Sequence, residues 1–139
     1  IRDSNDKCVS VLVLRLGLLA SLGTVLGSLF RYGISVLIPT DHHGAFPYST
    51  LLVNVTGAIA IGFFARSSKI MSSDRQRTFF VTGVLGGFTT FSAFAVETVN
   101  LAVGAQAETV HQGMLAVIYV VTTFVVGVSA TTLALGREQ

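Results

Sequence analysis

Charge is what this chain has least of. Only 12% of its 139 residues are Asp, Glu, Lys or Arg, while 51% are apolar and the mean hydropathy is +0.72. A small soluble domain carries about a quarter charged residues, so this composition excludes a water-facing surface over most of the chain, and with it a soluble enzyme. Nine Lys and Arg against seven Asp and Glu form no basic stripe, which excludes a nucleic-acid reader. The single cysteine, Cys8, excludes an internal disulfide and reads as an inert thiol near a membrane boundary. No phosphate-binding loop is present, so the chain itself carries no motif for nucleotide-driven transport.

What remains is long uncharged runs. A helix crossing about 30 Å of hydrocarbon needs about 20 residues, and four runs supply them: Val9 to Ile38, interrupted by Arg15 and Arg31, then Gly44 to Ala65, Thr78 to Val96 and Gln112 to Gly136. They predict an all-α membrane protein of one domain, residues 1–139, with helices over about 11–38, 47–66, 77–103 and 111–136. A cleavable signal peptide is a poor reading of the first run, which exceeds the usual apolar stretch of about 7–15 residues and is followed by equally apolar segments. Pro39 ends the first helix, and Pro47 sits where a helix start tolerates it. Adjacent His42 and His43 lie in this loop without further ligands, and read as solvated rather than as a metal site. Four spans put both tails and the Ser67–Arg77 linker on one side, with every Lys and Arg except Arg31. That bias predicts cytoplasmic termini.

Polar residues at depth carry the functional information. Arg31 lies eight residues before Pro39, about 12 Å along a helix. Either it faces protein or water and offers positive potential to an anion, or it snorkels to the interface. Gly23 and Gly27 before it form a G-x-x-x-G packing pair. Asn54 falls in the middle of the second span, where its amide needs partners; helix-to-helix glue is the common role of such a residue. In the third span Gly86 and Gly87 precede Thr89 and Thr90, all poor helix formers, so a break near 86–90 is expected. Such a break is either an ion site or a kink repaired by threonine hydroxyls. Phe91, Phe94 and Glu97 then share a face, and an aromatic ring edge is positive enough to attract an anion, although most phenylalanines at this spacing only pack. Tyr119, Thr123 and Ser129 supply hydroxyls along the fourth span, some of which return to the carbonyl four residues back.

Three blocks carry a resemblance: Gly23 to Tyr32 (GTVLGSLFRY), Pro47 to Gly57 (PYSTLLVNVTG), and Gly83 to Phe94 (GVLGGFTTFSAF) with Glu97. Through them the chain resembles the Fluc (CrcB-type) fluoride channels over essentially all four spans. The resemblance implies a dimer of antiparallel four-helix subunits with the third helix broken mid-membrane. It also implies two narrow fluoride pathways and a structural sodium ion held at the dimer interface by main-chain carbonyls, here Gly86 and Thr89. Phe91 and Phe94 would be the edge-on anion contacts, Asn54 an amide donor and Ser92 a hydroxyl beside it. Arg31 matches the vestibule arginine, Glu97 the acidic position of the second half-helix, and Tyr119, Thr123 and Ser129 a polar track.

Two features depart from that pattern. Ala93 stands where the family commonly has Thr, and Ser49 where it has Gly. The charge bias of eight cations against one favours a single insertion direction, whereas an inverted homodimer needs both, so the partner is either an inverted copy held by interface contacts or an oppositely inserted homologous subunit. The competing reading is a small dual-topology drug/proton antiporter. That chemistry wants an early membrane carboxylate, and among the uncharged runs only the third is bordered by one, Glu97. A non-transporting assembly subunit would use Asn54 and the glycines as interface residues. Cysteines introduced singly into the 67–77 linker are expected to react with an impermeant thiol reagent from the cytoplasmic face; labelling from outside alone would contradict the bias.

Overall fold

The computed structural model describes residues 2–39, 45–103 and 109–136, and all its regular elements are helical. Helix α1 is Arg2–Leu37, α2 Tyr48–Arg66, α3 Ser68–Met71 and α4 Asp74–Arg77; a π-helical segment, Thr78–Leu85, leads into α5, Gly86–Phe88, and then come α6, Phe91–Val103, and α7, Thr109–Leu135. Four stretches are long and apolar enough to cross a bilayer: Val9–Leu37, Tyr48–Arg66, Asp74–Val103 and Gly113–Leu135. The chain is therefore a multi-pass membrane protein. Helix α1 starts at Arg2, well ahead of the first uncharged run, because nothing between Arg2 and Val9 breaks a helix. His42 and His43 lie outside the described residues, as does the middle of the third connection.

Glycine decides how the first span meets the third. A Cβ on Gly23 would lie 2.5 Å from the Phe79 carbonyl oxygen and 2.8 Å from the Gly83 Cα. One on Gly27 would overlap the Val84 carbonyl and sit 2.7 Å from the Phe88 nitrogen. From the other side, Gly83 lies against Ala20 and Gly87 against Thr24. Two G-x-x-x-G pairs thus face each other and bring backbones together, where dispersion and short polar contacts replace a hydrophobic drive that lipid does not supply. The Thr24 hydroxyl sits on the seam, 2.9 Å from the Ala20 carbonyl and 3.5 Å from that of Gly83. Contacts advance together along both spans, so the first and third run parallel.

The second span packs mainly on the fourth. A Cβ on Gly62 would meet that of Ala134 at 2.6 Å, and the Thr131 hydroxyl crosses over to the Ala58 carbonyl at 3.0 Å. At the end of this pair Arg66 Nη1 donates to the Ala134 carbonyl at 3.4 Å, beside Gly136, whose positive φ of 77° ends α7. A cation there complements the carbonyl end of the helix. Helix α6 joins α7 through a cluster of Phe94, Leu101, Ala116 and Tyr119.

The outer face of α1 is apolar and exposed along its length, from Leu18 and Leu22 to Leu29 and Val36, as expected of a surface solvated by lipid. Replacing Gly27 by Leu forces the α1 seam open and is expected to cost about 3 kcal/mol or more, seen as loss of the monodisperse peak on size exclusion. Gly33→Leu, which points into open space, is the control that keeps it.

Candidate functional site

Helical geometry stops after Phe88 and resumes at Phe91, and Thr89 is extended, with φ −75° and ψ 154°. In an unbroken helix the Thr90 N–H would return to the Gly86 carbonyl. Here it donates to Asn54 Oδ1 at 2.9 Å, while Asn54 Nδ2 donates to the Thr90 carbonyl at 3.1 Å. One side-chain amide thus satisfies both main-chain groups of Thr90. The Ala93 N–H, whose helical partner would be the Thr89 carbonyl, instead meets the Thr90 hydroxyl at 3.2 Å, so Thr90 is the N-cap of α6. The Gly86 and Thr89 carbonyls are the ones released by these two diversions.

The carbonyls of Gly87 and Leu85 are occupied. Gly87 accepts from Arg31 Nε and from the Ser28 hydroxyl, both at 3.3 Å. Leu85 accepts from the Thr89 N–H at 3.0 Å and the Thr89 hydroxyl at 2.9 Å. Arg31 is therefore a partly buried donor to the C-terminal end of the half-helix, where its charge meets the negative end of the helix dipole.

Beside the interruption runs an open groove of about 580 Å³, whose polar lining includes Asn54, Thr89, Thr90 and Thr123, with Phe91, Phe94 and Gly86 among its apolar walls. Phe91 is 75% exposed, and Phe94 is 7% exposed. The Phe94 ring lies 5.2 Å from that of Tyr119, 5.7 Å from Phe91, and edge-to-face at 89° on Phe124, 5.9 Å away. Such packing holds the Phe94 ring on three sides.

Behind Phe94 sits the carboxylate of Glu97. Its Oε1 accepts from the buried Thr50 hydroxyl at 2.7 Å, and its Oε2 accepts from the Tyr119 hydroxyl at 2.8 Å. Tyr119 has no exposed surface. The three side chains come from α2, α6 and α7, so one carboxylate ties together three spans. Thr123 Oγ1 donates to the Tyr119 carbonyl at 2.7 Å, the local bond expected of a threonine in a membrane helix.

The structure thus brings Asn54, Gly86, Thr89, Phe91, Phe94 and Thr123 to one groove, and Glu97 with Tyr119 to a cluster next to it. Ser92 is exposed, with its hydroxyl 3.2 Å from that of Thr90. Arg31 sits on the α1 side of α5, and Ser129 is exposed on α7 away from the groove lining. Sequence reasoning missed Thr50 and the cap role of Thr90. The signal for Thr50 was its spacing: Thr50, Asn54, Gly57 and Ile61 stand three or four apart, a single stripe down α2. Among the described residues no group of three or more His, Cys, Asp and Glu could hold a metal ion.

A family profile described as CrcB-like protein, Camphor Resistance (CrcB), matches residues 18–135. The chain belongs to the CrcB family. Several relatives bear the name Fluoride-specific ion channel FluC. That of Paramagnetospirillum magneticum is 42% identical over 88 residues, which cover 60% of this chain and 69% of the relative. That of Roseiflexus sp. is 37% identical over 118 residues, 84% and 90% of the two chains, and that of Thermus thermophilus 46% identical over 90 residues, 64% and 72%. The CrcB match begins inside α1 and spans every polar group described above.

Thr50→Val removes a donor from Glu97 while keeping the side-chain shape, and is expected to destabilise the bundle by about 1–3 kcal/mol, read as a lower midpoint of thermal unfolding in detergent. An unchanged midpoint would show that the bond to Glu97 contributes nothing.

Proposed function

We propose that this chain forms a fluoride-selective ion channel that passively exports cytoplasmic fluoride and so protects the cell from it. The observation that carries this reading is membership of the CrcB family, with relatives named as fluoride-specific channels at 37–46% identity. Hydrogen fluoride crosses lipid uncharged and dissociates in a more alkaline cytoplasm, which traps the anion. An inside-negative potential drives that anion outward by about 2.3 kcal/mol per 100 mV, so a pathway suffices and no catalysis is involved.

The pathway runs along the groove. Fluoride gives up water to enter, and must meet replacement donors that hold it weakly enough to release it. Asn54 has one amide hydrogen left after bonding the Thr90 carbonyl, and the ring edges of Phe91 and Phe94 supply positive quadrupole. The Ser92 hydroxyl stands beside them. Farther along, Thr123 lines the groove, Glu97 holds the Tyr119 hydroxyl in the cluster next to it, Ser129 stands outside the lining, and Arg31 raises the potential at the vestibule. Narrowness excludes chloride.

The working unit is an inverted dimer, of two copies or of this chain with an oppositely inserted homologue, in which the interruption of the third span lies at mid-membrane depth. Both termini of the chain as oriented by its charge are cytoplasmic, in the plasma membrane. The Gly86 and Thr89 carbonyls fit a sodium ion at the dimer interface, because a hard cation takes oxygen ligands and these two have lost their helical donors to Asn54 and Thr90. Gly86 is exposed, and a Cβ there would touch nothing within 4 Å, which leaves its face open to a second subunit. When bound, the ion supplies fixed positive potential between the two pathways.

Drug/proton antiport finds no support: Glu97, the candidate carboxylate, is bound by two hydroxyls behind Phe94, and the named relatives are channels. Liposomes loaded with fluoride and containing the purified protein are expected to release it rapidly while retaining chloride. Phe94→Ile and Asn54→Asp should each cut fluoride release by at least tenfold. Equal chloride release would refute selectivity, and full flux in both variants would refute the pathway.

A further inference from the structure

The end of the bundle that carries α3 and α4 is ringed by cations that the ion pathway does not use. Arg66 closes α2, Lys69 lies on α3, and Arg75 and Arg77 on α4. Arg15 joins them from α1. The Ala20 carbonyl lies against Gly83; Arg15 is five residues before the first and Arg77 six before the second, about 8–9 Å in each case, so the two arginines share a depth. Contacts of α2 with α3, α3 with α4, and α4 with α1 make this rim a continuous arc.

Among the described residues of the arc Asp74 is the only acid, and it is taken by Arg77 at 3.0 Å. Arg66 is fixed by the Ala134 carbonyl. Among the described residues Arg15, Lys69 and Arg75 are exposed and have no ion pair. On the span side of the arc, three residues before Arg66 and three after Arg77, Phe63 is 59% and Phe80 36% exposed, and Met71, 38% exposed, lies on α3 within the arc itself. Five cations at the ends of spans that carry exposed aromatic side chains one turn farther in present a charged row and an apolar row in the order of a lipid's phosphate and acyl chains. A soluble phosphate would have no use for the second row.

We propose that this arc is a binding surface for anionic phospholipid headgroups, with Lys69, Arg75 and Arg15 contacting phosphate and Phe63 and Phe80 lying along the first segment of the chains. Each cation near an anionic surface contributes about fivefold to affinity at low salt, and the effect is screened over a Debye length of about 10 Å at 0.1 M salt. The proposal does not depend on the identity of the conducted ion.

The experiment reconstitutes the full chain in phosphatidylcholine containing spin-labelled phosphatidylglycerol or spin-labelled phosphatidylcholine, and measures the motionally restricted fraction of each. Phosphatidylglycerol is expected to be enriched at the protein by several-fold, with the enrichment falling as salt rises from 0.05 to 0.5 M, values set by the screening length. The double variant Lys69→Gln/Arg75→Gln should lose at least threefold of that enrichment, and the charge-conserving Lys69→Arg/Arg75→Lys should keep it. Because these side chains are exposed and outside the pathway, fluoride release per protein should be unchanged in both. Equal association of the two lipids, or full enrichment in the glutamine variant, overturns the proposal. Displacement of the labelled lipid by millimolar inorganic phosphate overturns its assignment to lipid.

Discussion

A backbone N–H or carbonyl in hydrocarbon must find its partner within the protein, and that requirement governs everything around Thr89 and Thr90. Two residues leave the helix, and the main-chain groups of Thr90 and the Ala93 N–H are met from different directions, while the Gly86 and Thr89 carbonyls lose their helical donors. Asn54 takes both main-chain groups of Thr90, the Thr90 hydroxyl takes the Ala93 N–H, and Arg31 with Ser28 takes the Gly87 carbonyl. The interruption is thus specified by side chains on α1 and α2 as much as by the glycines within it. Without the Asn54 amide, the Thr90 N–H would have every reason to return to Gly86.

The same constraint orders the packing. Glycine pairs let α1 come close enough for Ser28 and Arg31 to reach Gly87, and the small Gly57 leaves room for Thr89, whose methyl a Cβ there would overlap. Glu97 does for α2, α6 and α7 what the glycines do for α1: it fixes their spacing, through hydroxyls from Thr50 and Tyr119. Phe94, packed between Tyr119 and Phe124, inherits its orientation from this scaffold.

Much of this was legible before any coordinates. Uncharged runs marked the four spans because lipid leaves little freedom in length or composition, and a mid-span Asn54 had to have partners. Which partners it had was not legible: an amide facing a neighbouring helix and an amide facing an ion look alike in one dimension. Gly87 read as a helix breaker from propensity, yet with Gly83 it forms the packing face toward Gly23 and Gly27, since propensity is overridden wherever a second backbone comes close. Thr50 escaped notice because its hydroxyl matters only through Glu97, 47 residues away.

The π-helical turn of Thr78–Leu85 has a geometric corollary. Such a turn holds one residue more than the α-helix around it, and one residue corresponds to about 100° of rotation. That surplus residue sets the angle at which α5 leaves the segment, and so decides that Gly87 points inward to Thr24 while Gly86 points out. A chain shorter by one position there would keep its hydropathy, its spans and its glycines, yet would present the wrong one of two adjacent carbonyls to whatever stands opposite.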